Sequence, residues 1–348
     1  MLSKKKLINI GLVVFSILLV IYGIELILHL TVPDFLGTRY SITGNFSDFV
    51  NRRFFNVSIF NKDPNVFRIL GIGDSFSEMF KGEKLNYHNI LEKQLNKLNN
   101  NKKYEVVNSG ISNTGPGYYW NTLEKYGDSF KPDLVLIEFF IGNDFVEMNF
   151  DTKRIGLFIN EPVNPKLGLL TYLRLKNLWL YQFGRARWIA WWDSLRKGEG
   201  TFSEEAFLRI EKARLNIFEK SQMDQFNKSW NRDSAVLSKI INWCNQRKVA
   251  LVIVIIPDQL QVDQKLRQTL LKKFNIPENS IDLYFPNRQL INYLEKRKVH
   301  YLDLTKPLQD AAKSKTLYLK RDTHWNYAGH ELAGNIISDY LQKHHLVN

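Results

Sequence analysis

Six consecutive apolar residues, Leu251-Val252-Ile253-Val254-Ile255-Ile256, narrow what this chain can fold into. The run is rich in β-branched residues and too short for an ordinary helix, so it reads as a strand. Apolar on both sides, it must be covered on both faces, which is the setting of a parallel sheet between helices. Four more strand-length stretches fit that sheet: residues 67–72, 104–107, 134–140 and 300–304. Helical patterns fill the intervals, over 77–98, 118–126, 234–247, 287–297 and 327–341. Such alternation predicts a doubly wound α/β sheet with right-handed crossovers.

One turn in this alternation carries chemistry. The first strand runs through Ile69-Leu70-Gly71-Ile72 and stops at Gly73-Asp74-Ser75-Phe76, where a helical pattern begins. A serine there sits at the carboxyl edge of the sheet, where open α/β folds place their sites. Its neighbours could equally be helix caps, with Asp74, Ser75 and Ser77 serving the first turn.

Three further stretches separate those readings. They are Asn108-Ser109-Gly110, Gly142-Asn143-Asp144 and Asp322-Thr323-His324, each after a predicted strand or before a predicted helix. Together with Gly73-Asp74-Ser75-Phe76 they resemble, in order, the four blocks of the GDSL/SGNH hydrolases, with Phe76 where the family name has leucine. The resemblance covers residue 67 to the end, apart from a long insert. It implies a five-stranded, flavodoxin-like parallel sheet and acyl transfer through Ser75 as nucleophile. It also implies His324 as general base, oriented by Asp322, and an oxyanion hole of the Ser75 N–H, the Gly110 N–H and the Asn143 amide. Gly73, Asp74, Gly142 and Asp144 would support the turns. Asp322 and His324 are one residue closer than the family's usual spacing, as in its polysaccharide O-acetyltransferase branches. A triad and a Ser75–His324 dyad braced by Asp322 both remain open. His330 is the rival base, at helical spacing in the last helix.

The sequence excludes other chemistries. It has no Gly-x-Ser-x-Gly elbow, no third glycine after Gly71 and Gly73 for a dinucleotide loop, and no phosphate-binding Gly-Lys-Ser/Thr loop. His330-Glu331 lacks the second histidine of a zinc motif, so no metal and no cofactor is expected. Cys244 is the single cysteine, which rules out an intrachain disulfide; its setting in a helical pattern marks it as a core residue.

The ends of the chain bear on location. Lys4, Lys5 and Lys6 precede an uncharged apolar stretch from residue 7 to 24, and apolar character continues to residue 30. About 20 apolar residues span a bilayer, so 1–6 read as a cytoplasmic tail and 7–30 as a transmembrane anchor, with the catalytic domain outside. A cleaved signal peptide fits less well, because no small-residue cleavage site follows. Residues 31–65 read as a connecting arm and 66–348 as the catalytic domain, with a helical insert at about 145–232. Trp179, Trp188, Trp191 and Trp192 in the insert, among many Arg and Lys, suit a membrane-facing or sugar-binding lid, or simply the core of a small helical subdomain. The net charge of +13 favours anionic partners, but nothing in the chain resembles a nucleic-acid motif. The expected substrate is an acylated envelope carbohydrate or lipid. The expected activity is an esterase; an envelope O-acetyltransferase and a non-catalytic binding protein are the alternatives.

Overall fold

The protein is described from a computed structural model. The described residues are 62–78, 86–98, 102–112, 114–145 and 200–347, with a scatter of positions between 6 and 24. The described residues from 62 onward belong to one compact unit.

Five strands form its sheet: β1 (Val66–Ile72), β2 (Lys103–Asn108), β3 (Leu134–Phe140), β4 (Ala250–Ile256) and β5 (His300–Asp303). All pairings are parallel and the order is β2-β1-β3-β4-β5. This is the flavodoxin-like winding, whose order reverses beside β1. Every residue of β3 is buried. The two-faced apolar strands occupy the sheet's centre, as their composition requires.

The helices are α1 (Ser75–Glu78), α2 (Tyr87–Leu95), α3 (Pro116–Phe130), α4 (Glu204–Leu215), α5 (Met223–Arg247), α6 (Gln259–Val262), α7 (Gln264–Lys273), α8 (Phe285–Lys296), α9 (Thr305–Ala312) and α10 (Tyr327–Lys343). On one face α2 packs beside α10, and on the other α3 packs beside α5. The first face holds the main core, in which Ile69, Leu134, Leu136, Phe140, Val252 and Val254 meet Tyr87, Leu91, Trp325 and Ile337.

Two expectations need correction. The helical pattern over 77–98 is two helices: Asn86 caps α2 by accepting the His88 N–H, so a new helix starts there. α5 begins at Met223, well before 234 and inside the segment assigned to the insert. Its polar first half is held by Phe226 against Phe145 and Phe285, contacts that no local pattern announces.

Most of the apolar N-terminal stretch, the arm at 31–61 and the aromatic part of the insert lie outside the described residues. Those described between 6 and 24 are helical. No helix among the described residues is long and apolar enough to cross a membrane.

Candidate active site

The carboxyl ends of β1, β2 and β3 bring three of the four sequence blocks together, and the loop before α10 supplies the fourth. Ser75 follows β1 directly. Asp74 caps the short α1, its Oδ1 accepting the Phe76 N–H at 2.9 Å. The capping reading of Asp74 is therefore correct, and it leaves the Ser75 hydroxyl unused for capping. A Cβ on Gly73 would lie 2.4 Å from both Glu138 Oε2 and Ser77 Oγ, so only glycine lets the chain turn so tightly here.

The fourth block is held by a small loop of its own. Leu319 N–H bonds to His324 O at 2.9 Å and Asn326 N–H to Leu317 O at 2.9 Å. Trp325 is fully buried between them and anchors the loop in the core. Arg321 takes a left-handed φ of 51°, and this kink lets Asp322 turn back on His324.

The result is a continuous row of hydrogen bonds. His324 Nε2 lies 2.7 Å from Ser75 Oγ. His324 Nδ1 lies 2.6 Å from Asp322 Oδ1, which also accepts the His324 backbone N–H at 3.1 Å. The short spacing thus suffices for Asp322 to meet the ring. Burial pushes the Asp322 carboxyl up, but its hydrogen bonds from His324 and Thr201 outweigh this and hold it below the usual range. The His324 ring keeps 22% of its side-chain surface exposed and Asp322 only 7%, so the row opens to solvent at the histidine and serine.

His330 is not part of this row. It is fully buried, lying over Tyr87 at 6.0 Å and edge-on to Trp325 at 5.6 Å. Burial, helped by nearby His324, pulls its pKa down to about 3, so it stays neutral. Cys244 is likewise a buried core residue.

The three expected oxyanion donors fare differently. Asn143, in the turn after β3, donates its amide to Asp74 Oδ2 at 3.0 Å, which ties it to the residue preceding Ser75. Asp144 holds that turn. Its Oδ2 accepts the Phe140 N–H at 3.0 Å and the Tyr119 hydroxyl donates to both its oxygens at 3.1 Å. Gly142 occupies the middle of the same turn. The Gly110 N–H bonds to Asn108 Oδ1 at 2.9 Å in a short-range turn. The glycine also serves packing, because a Cβ there would fall 2.0 Å from Ser77 Cβ.

One buried group escaped the sequence reading. Glu138, in the middle of β3, is completely buried beneath the Gly73–Ser75 turn. The available signal was a single acid within the otherwise apolar Leu-Val-Leu-Ile-Glu-Phe-Phe of β3. Among the described residues no group of three or more His, Cys, Asp or Glu side chains is arranged to hold a metal ion.

A serine, histidine and aspartate in hydrogen-bonded series at the edge of this sheet are the arrangement of an ester hydrolase or acyltransferase. Residues 218–348 match the family model described as an SGNH hydrolase-like domain, acetyltransferase AlgX. No curated protein matches the sequence significantly. Among solved structures it is similar to an acetylxylan esterase from Geobacillus stearothermophilus, at 13% identity and a TM-score of 0.42, covering 79% of this chain and 93% of that one. It is also similar to a G-D-S-L family protein from Desulfitobacterium hafniense, at 14% identity and a TM-score of 0.38, covering 79% and 99%.

Proposed function

We propose that this protein is a serine esterase of acetylated carbohydrate that works through an acyl-Ser75 intermediate. The observation that carries the reading is the Ser75–His324–Asp322 row, with separations of 2.7 and 2.6 Å. Ser75 Oγ attacks the ester carbonyl carbon while His324 Nε2 takes its proton. The Asp322 carboxylate stabilises the imidazolium that forms. The carbonyl oxygen, now an oxyanion, is met by the Ser75 N–H and the Asn143 amide. Collapse breaks the ester bond, and His324 returns the proton to the departing alkoxide. Water then attacks the acyl-serine, gives its proton to His324, and releases the acid with Ser75 restored.

A second reading follows from the same intermediate. If a sugar hydroxyl replaces water, the acetyl group moves to carbohydrate and the enzyme is an O-acetyltransferase. The family-model match to an acetyltransferase domain over 218–348 favours it. The net charge of +13 suits an anionic envelope glycan for either reading.

We also place the catalytic unit outside the cytoplasmic membrane. Support comes from the uncharged stretch at 7–24 behind three lysines, and from the exposed, helical Leu12, Val13, Val20 and Ile24. A periplasmic reporter fused after Asn348 should be active, and activity of a cytoplasmic reporter there would reverse the orientation.

The chemistry is tested by incubating the full chain with an activated acetyl ester and recording intact mass and turnover. An acetyl adduct absent from Ser75→Ala, with turnover lost in both Ser75→Ala and His324→Ala, is expected. Added oligosaccharide then separates transfer from hydrolysis. Folded protein that forms no adduct and shows no turnover would instead indicate a binding protein.

A further inference from the structure

Below the proposed nucleophile lie two buried carboxyl groups. Both Asp74 and Glu138 are 0% exposed. Glu138 belongs to the face of β3 that also presents Leu134, Leu136 and Phe140 to the core, so a single acid stands in an apolar row. The two acids are not equivalent. Both Asp74 oxygens accept N–H donors, Oδ1 from Phe76 and Oδ2 from Asn143. Glu138 accepts at Oε2 only, from the Ser77 hydroxyl and from the Tyr87 hydroxyl at 2.9 Å. Its Oε1 is buried and receives no donor. The Asp74 charge acts on Glu138 to keep it protonated. Both Asp74 oxygens and Glu138 Oε2 already accept donors, so a proton on Glu138 falls to Oε1.

We infer that Glu138 is a positioning residue that works as a neutral acid, donating its proton to Asp74 and so fixing the Asn143 amide and the Ser75 turn. The inference rests on the acyl-Ser75 reading, in which Asn143 meets the oxyanion. An unpaired buried carboxylate is costly, and two adjacent ones more so. Two acids facing Glu138, Asp74 from the β1–α1 turn and Asp144 after β3, make ionisation still harder, against the Ser77 hydrogen bond; Tyr87 from α2 and Tyr119 behind Asp144 are neutral hydroxyls. None of these is a cation. Burial first, then the Asp74 charge, pushes the Glu138 carboxyl well above the ordinary range. The neutral acid also accounts for Gly73, since its side chain fills the space a Cβ at 73 would need.

Glutamine reproduces the arrangement. Its carbonyl accepts from Ser77 and Tyr87, and its NH₂ donates to Asp74 without a titrating proton. Alanine or leucine breaks it. The test compares wild type, Glu138→Gln, Glu138→Leu, Glu138→Ala and Ser75→Ala as full chains. It measures kcat and KM on an aryl acetate and the ¹³C-carboxyl NMR signal that Glu138→Gln removes. Expected are a protonated-acid signal at pH 7, near wild-type kcat in Glu138→Gln, and a kcat loss of about tenfold or more in folded Glu138→Leu or Glu138→Ala at similar KM. That loss is part of the ~10²–10³ that one oxyanion donor supplies. An ionised Glu138 at pH 7, or Glu138→Gln falling as far as a folded apolar variant, overturns the inference. Full activity in Ser75→Ala would instead overturn the acyl-serine reading, independently of Glu138.

Discussion

Replacing Asp322 by asparagine separates a triad from a braced dyad. The carboxylate contacts His324 twice, through Nδ1 at 2.6 Å and the backbone N–H at 3.1 Å. Asparagine fills the same volume and can still accept the backbone N–H, so the loop around Trp325 should survive. What changes is the partner of the ring. A hydrogen bond to a charged group is worth about 1.5–3 kcal/mol against about 1 for a neutral one. Losing the charge alone therefore removes roughly 0.5–2 kcal/mol of imidazolium stabilisation, about 2–30-fold in rate. If the amide turns its NH₂ toward Nδ1, the ring is held in the wrong tautomer. In serine proteases the same change costs about 10⁴. The expected result is a kcat loss of about 10²–10⁴ with KM changed only a few-fold. The assay is initial-rate hydrolysis of an aryl acetate, with circular dichroism confirming the fold. A folded Asp322→Asn that loses less than about twofold in kcat would refute the reasoning, because the charge would then have no part in proton transfer.

Other expectations are narrower. Gly110→Ala should cost at least about 1–3 kcal/mol by overpacking against Ser77, and activity should fall with it as α1 shifts; an unchanged melting temperature would contradict the contact. Asn143→Ala should lower kcat about 10²–10³-fold without weakening binding, and a pure KM effect would remove Asn143 from the oxyanion site. Burial pushes the Asp233 carboxyl up to about 7, against a smaller pull from Arg232. Its folded value lies above the unfolded value of about 3.9, so the folded state holds the proton longer. Stability should therefore fall as pH rises from about 4 to 7, by at most about 1.4 kcal/mol per unit. Urea titrations of Asp233→Asn should show a flatter profile across that window, and identical profiles would refute it. Asp322 has the opposite sign: its folded carboxyl is held low, so its contribution is present above the ordinary aspartate range and is lost as pH falls through the folded value. Asp322→Asn should weaken the acid loss of stability.

The sheet was legible in the sequence because its strands are defined locally. Apolar runs such as Leu134–Phe140 and Ala250–Ile256 can be satisfied only between two layers of helix, and their bounds follow from composition. Ser75, His324 and Asn143 were legible because each sits in a short block at a strand or helix end. Three matters depended on the tertiary structure. Whether Asp322 reaches His324 turned on the left-handed Arg321 and on the burial of Trp325, which the Asp-x-His spacing does not encode. What the Gly110 N–H meets turned on the Asn108 side chain, which accepts it through a contact two residues long. The state of Glu138 turned on Asp74, Ser77 and Tyr87, which approach it from two other elements of the fold. Periodicity and turn chemistry are properties of neighbours along the chain, and the sequence by itself determined the strands and the place of Ser75 at the end of the first. Hydrogen-bond choice and protonation are properties of neighbours in space, so only the fold decided which of the expected groups face the serine.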